Sequence, residues 1–213
     1  QNQIEILHKF LFNVEPNYEE RFNYILAGIT LAGISPHTTY ETFRKNGLID
    51  YPLLSVPETY QEFITPNPMT ENLLSKGKEW LNRYEFKHDW VLTGTEGEEQ
   101  RIKILKQALL YCPVGISVTA WFEKDGVYID NSMPNTHWCV LYGYDDGRKL
   151  WKVFDSYDHS TKLLPYNHRI AFAKRISLNK KETKSEIKLD WTQKLVGFLR
   201  ILQGLLVSLL VKK

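Results

Sequence analysis

One hairpin constrains this chain more than any other feature. Asn135-Thr136-His137-Trp138-Cys139-Val140-Leu141-Tyr142-Gly143-Tyr144 runs into Asp145-Asp146-Gly147, and Leu150 to Val153-Phe154-Asp155-Ser156-Tyr157 follows. Apolar and aromatic residues bounded by Asp and Gly read as two strands joined by a tight turn. A histidine opens the first strand and a carboxylate closes the second. That order aims an imidazole into a cleft and holds it there, which is half of a nucleophilic hydrolase site.

The elements around the hairpin separate by type. Helical periodicity covers Gln3–Phe12, with Ile4, Leu7 and Leu11 on one face, then Tyr18–Ile29 and Thr38–Asn46, where Gly47 is the expected stop. Pro52, Pro57, Pro66 and Pro68 mark a surface loop. Thr70–Tyr84 and Gly97–Tyr111 read as helices again, the latter with Glu98 and Glu99 where the helix dipole favours acids. Strand patterns then follow at Val114–Phe122, Gly126–Ile129, His137–Tyr144, Leu150–Asp155 and Ile170–Leu178. Helices first and antiparallel strands after is an α+β arrangement. The expected division is a helical lobe over 1–100, a β-rich lobe over 101–180, and a linker with a C-terminal helix over 181–213.

A chain of 213 residues can bury one good core, and its 13% aromatic content suits dense packing. A net charge of +2 offers nothing to a nucleic acid. Cys112 and Cys139 both lie in apolar runs and fit buried free thiols better than a disulfide. No signal peptide precedes Gln1, and the helical pattern there lacks a capping residue, so the chain reads as beginning inside an element, as a processed product or fragment would.

Four motifs occur in an order that resembles the papain-like cysteine peptidases, in the flavour of divergent bacterial and bacteriophage proteins. His137 on a strand ending Gly143-Tyr144 resembles that family's histidine strand, and Asp155-Ser156-Tyr157 its Asn-Ser-Trp. Cys112-Pro113-Val114-Gly115 resembles the Gly-Pro-Val strand. Gly33, followed by a helix ending Lys45-Asn46-Gly47-Leu48, resembles the Gly-Gly loop and its following helix. The resemblance spans about residues 1–180. It implies a two-lobed α+β fold, a helical lobe followed by an antiparallel barrel-like sheet, with a cleft between the lobes. It implies a hydrolase that cuts peptides through a thiol acyl-enzyme: His137 stabilises the thiolate and protonates the leaving amine, and Asp155 accepts the other ring N–H. Gly33 and Ala32 would line the backbone-binding side, Ser117, Thr136 and Trp138 would shape the pockets beside His137, and Tyr157 would shield the His–Asp contact where the family has Trp. Asp155 departs from the family's Asn, and a carboxylate favours the imidazolium form more strongly.

The same resemblance asks for a nucleophile about 130–150 residues before the histidine. No cysteine lies in that window, and an upstream oxyanion-hole residue has no candidate either. The leading expectation is a peptidase truncated before its nucleophile and therefore inactive as given. Two alternatives stay open: a non-catalytic papain-like protein that binds peptides or a partner, and a thiol amidase acting on cell-wall peptides.

The other polar clusters are bland. Asp145-Asp146-Gly147 lacks the spaced ligands of a calcium loop, Asp158-His159 fits a polar turn, and His8, His37, His88 and His168 have no partner pattern. No zinc spacing, phosphate loop or dinucleotide fingerprint occurs, so neither metal nor cofactor is expected. The expected partner is a peptide or protein substrate. Lys180–Lys188 reads as a polar linker, and Leu195–Val211 as an apolar helix broken by Arg200, Gln203 and Ser208. It suits a membrane surface, a short span or a partner protein. The matching locations are cytoplasmic or virion-associated, with peripheral membrane attachment through that helix.

Overall fold

The computed structural model describes residues 1–55, 57–65, 69–120, 122–130, 134–156 and 160–182. Tyr157, Asp158, His159 and the expected tail helix Leu195–Val211 lie outside the described residues. The chain divides into Gln1–Asn179 and Lys180–Lys213, and the architecture below is that of the first unit.

The described helices are α1 (Asn2–Phe12), α2 (Glu20–Leu26), α3 (Pro36–Asn46), α4 (Tyr60–Ile64), α5 (Glu71–Arg83) and α6 (Glu98–Leu109). Local chemistry sets their ends. Pro36 occupies the first turn of α3, where its missing N–H costs nothing, and Gly47 closes that helix at φ 72°. Thr70 caps α5 by accepting the Leu73 N–H, and Thr59 caps α4 by accepting that of Glu62. The one-turn helix α4 interrupts what the prolines suggest is plain loop.

The strands are β1 (Tyr84–Thr93), β2 (Val114–Val118), β3 (Glu123–Lys124), β4 (Val127–Tyr128), β5 (His137–Asp145), β6 (Leu150–Asp155), β7 (Ser160–Pro165) and β8 (Phe172–Lys180). They form one open sheet in the order β1-β8-β2-β5-β6-β7-β4-β3. It is mostly antiparallel, but β4 pairs with β7 in parallel. The expected helical lobe also loses a piece to the sheet. β1 follows α5 with no turn residue between them, which hides the change of period, and it neighbours β8 at the sheet edge.

Two cores share the labour. Leu105, Val114, Ile116, Leu141, Trp151, Val153 and Leu164 pack beneath the sheet with α6. Ile4, Leu7, Phe43, Trp80 and Phe86 join α1, α3, α5 and the β1 edge. Each such side chain contributes about 1.5–3 kcal/mol by leaving water. A buried polar knot ties the two together. Gln3 of α1 donates to the carbonyls of Pro113 (2.7 Å) and Lys174 (3.1 Å) and accepts from the Tyr40 hydroxyl, which in turn accepts from Trp138 Nε1 at 3.4 Å. Gly115 makes room for the knot: a Cβ there would lie 2.4 Å from the Tyr40 oxygen and 2.7 Å from Trp138 Nε1.

Candidate active site

Antiparallel pairing of β5 with β6 starts at Asp145↔Leu150 and would by simple alternation place Asp155 opposite Val140, on the other face of the sheet from His137. A bulge at Tyr142 prevents this. Gly143 pairs with Lys152, but Leu141 pairs with Val153 and Val140 with Phe154. Continuing that register sets Asp155 across from Cys139, and so on the face that Cys139 shares with His137. One extra residue in β5 therefore creates the pair.

The contact is close. His137 Nε2 lies 3.0 Å from Asp155 Oδ1 and 3.1 Å from Oδ2. The imidazole is 10% exposed and the carboxylate fully buried, so the ring alone reaches the solvent side. A buried carboxylate costs several kcal/mol unless it is well bonded. A second donor meets that need: the Tyr128 hydroxyl of β4 donates to Asp155 Oδ2. Burial, and then the adjacent carboxylate, push the Tyr128 phenol well above its ordinary range, so it keeps its proton and remains a donor. Nothing in the sequence distinguishes Tyr128 from a core tyrosine, because its role depends on β4 reaching β7.

Two cavities flank His137. One of about 380 Å³ is lined by Gln1, Asn2 and Gln3 at the start of α1, with Tyr24, Ile34, Trp138, Cys139, Phe154 and Ser156. His137 and the first turn of α1 thus line the same cavity. The other, of about 470 Å³, is lined by Ile34, Ser35, Pro36, Trp90, Ser117, Asn135, Thr136, Trp138 and Phe172. Of the residues singled out in the sequence, Ser117, Thr136 and Trp138 lie here. Ser117 spends its hydroxyl on β8, accepting the Phe172 N–H at 2.9 Å and donating to the Phe172 carbonyl at 3.3 Å. Ala32 and Gly33 do not line either cavity. Gly33 closes a small bridge with Thr30 at φ 87°, and Ile34 after it supplies the wall. Tyr157 lies outside the described residues. Among the described residues no group of His, Cys, Asp or Glu is arranged to hold a metal ion.

Both cysteines are free and buried. Burial, reinforced by the Asp155 carboxylate, pushes the Cys139 thiol well up, and burial also raises that of Cys112. An attacking thiol needs the opposite shift. His88 is not partnerless as its sequence context suggests. Its Nε2 lies 2.9 Å from Glu41 Oε1 and its Nδ1 3.0 Å from the buried Lys174 ammonium.

No protein-family model matches the chain, and no curated protein matches it in sequence. Solved structures do match in shape. The proform of Amb a 11, a ragweed pollen cysteine protease and allergen, superposes with a TM-score of 0.58 at 15% identity, over 84% of this chain and 58% of that one. Xylellain, a cysteine protease from Xylella fastidiosa, gives a TM-score of 0.57 at 16% identity, over 85% of this chain and 76% of its own. The fold is papain-like. The chain spans little more than half the length of the Amb a 11 proform. A papain-like frame accounts for the order of helices before sheet. Neither neighbour supports the bacteriophage flavour of the motifs, and no described helix is long and apolar enough to cross a membrane.

Proposed function

We propose that this papain-like chain carries the base half of a cysteine-type peptidase site. The observation that carries the reading is the His137–Asp155 pair opening into the cavity that the first turn of α1 also lines. With Nε2 committed to Asp155, Nδ1 is the ring nitrogen that takes a proton from a thiol and returns it to the leaving amine. Asp155 and Tyr128 act as positioning groups that hold one ring orientation. The nucleophile in this reading is a thiolate from outside residues 1–213, because Cys112 and Cys139 are buried and shifted the wrong way. The peptide substrate lies along the cavity beside Trp90, Trp138 and Phe172.

The test compares residues 1–213 with the product of the whole gene on fluorogenic peptides. Peptide cleavage by the whole product, abolished by thiol alkylation and by His137→Ala, is expected, with none by residues 1–213 alone. Cleavage by residues 1–213 that Cys139→Ala abolishes would sink the assignment of the nucleophile. The raised thiols also suit a second reading, a papain-like groove that binds peptides without cutting them. A whole product that binds peptides at His137 but never cleaves them selects it.

A further inference from the structure

The cavity beside His137 does not end at Phe172. Across Asn135 and Phe172, which line both, it adjoins another of about 390 Å³, lined also by Glu96, Arg101 and Arg169. Arg101 sits in the first turn of α6. Its Nε is buried with no hydrogen-bond partner, and the guanidinium makes no ion pair among the described residues. A buried donor without an acceptor costs about 1–3 kcal/mol, and a guanidinium presents its donors as a planar fork that fits a carboxylate.

The carboxylates nearby are spent elsewhere. Glu96 accepts the backbone N–H groups of Thr93 (3.0 Å), Gly94 (3.0 Å) and Thr95 (3.1 Å) and the Thr93 hydroxyl (3.0 Å). Burial works to raise its pKa, but these donors outweigh it and hold the group below the usual carboxylate range. Asp130 accepts the Arg169 backbone N–H at 2.8 Å. Arg101 and Arg169 also share a field. Both act on the buried His168 imidazole, whose pKa burial lowers; the Asp130 carboxylate works to raise it, and these two charges lower it to a lesser extent. An incoming carboxylate gives the buried Arg101 Nε–H the acceptor it lacks.

We propose that this second cavity binds a carboxylate, the acidic side chain of a peptide whose neighbouring residue occupies the cavity beside His137. The proposal rests on the peptide-binding reading above and gives it a substrate class: acidic peptides, selected by Arg101 with help from Arg169. Because the site lies away from the His137–Asp155 pair, it acts on binding and not on the proton transfers.

The test uses residues 1–213 and needs no cleavage. Acetylated Phe-Glu-Gly and Glu-Phe-Gly amides, their Gln counterparts and free glutarate are titrated in, reading the Arg101 Nε–H and Trp90 indole N–H signals by NMR. One Glu peptide is expected to bind roughly fivefold or more tightly than its Gln counterpart, less so at high salt. Arg101→Gln is expected to erase that advantage and leave the Gln peptide's affinity unchanged, and Arg169→Gln to reduce it. Equal binding of Glu and Gln peptides overturns the proposal, as does an advantage that survives both substitutions. Glutarate moving the Arg101 signal while no peptide binds supports the anion pocket and overturns the peptide cleft. Peptides that move the Trp90 signal while no acid moves Arg101 do the reverse.

Discussion

Among the described residues, two imidazole–carboxylate pairs are of nearly equal length, His137–Asp155 at 3.0 Å and His88–Glu41 at 2.9 Å. Their surroundings differ. Asp155 is wholly buried and takes a second hydrogen bond from Tyr128, while its imidazole opens on a cavity. Glu41 is part-exposed, and Arg44 grips both its oxygens, at 3.1 and 2.7 Å. That grip, before His88, lowers its pKa to about 2. His88 is itself buried, backed by Lys174, whose ammonium sits 4.1 Å from the Trp90 ring centre. Burial first, then the Lys174 charge, lower the His88 pKa. A His–carboxylate contact is therefore not a site by itself. What separates the two pairs is the carboxylate: Asp155 is fully desolvated and Glu41 part-exposed, while both rings line cavities.

Removing each carboxylate is the sharpest way to break this contrast. Asp155→Ala leaves the Tyr128 hydroxyl and an imidazole N–H facing an empty, buried space, and should cost about 3–5 kcal/mol in urea unfolding. Glu41→Ala, at a part-exposed carboxylate, should cost less, about 1–2 kcal/mol, most of it from the buried His88 nitrogen left without its partner. Equal losses would mean the two pairs do the same structural job. Tyr128→Phe comes next, at about 1.5–3 kcal/mol, the worth of a hydrogen bond to a charged group. A negligible loss there would remove Tyr128 from the account of how Asp155 is held.

Lys174→Met replaces a buried ammonium with an apolar chain of similar length, so its stability effect should stay within about 1 kcal/mol of zero. Its signature is electrostatic: with the positive charge gone, His88 should titrate at higher pH by NMR, and an unmoved His88 would contradict the pairing. The smallest effect is the pH dependence of folding. His8, His88 and His168 all have lowered pKa values, with burial the main cause. A depressed histidine binds more protons unfolded than folded, so its contribution is fully present above the unfolded value of about 6.5 and falls away as pH drops below it. The urea midpoint should therefore be lower at pH 5 than at pH 7.5. A midpoint that is flat or rises toward acid would show that these rings are not held neutral.

The sequence alone determined a good deal: the helices and strands with clear periods, their order, and the hairpin from His137 to Asp155. Those follow from local chemistry, since apolar spacing, caps and turn residues act within a few positions. Strand β1 escaped because no turn residue marks the passage from α5, and β7 because nothing in its short polar start sets it apart. Tertiary structure decided the rest. The bulge at Tyr142 chooses the face on which Asp155 meets His137, β4 brings Tyr128 to the same carboxylate, and Ile34 takes the wall expected of Ala32 and Gly33. Glu41, His88 and Lys174 converge from α3, β1 and β8, and Arg101 and Arg169 meet across a cavity from positions 68 residues apart. Such meetings cost chain entropy that only the packed sheet and its cores repay, so no local pattern announces them.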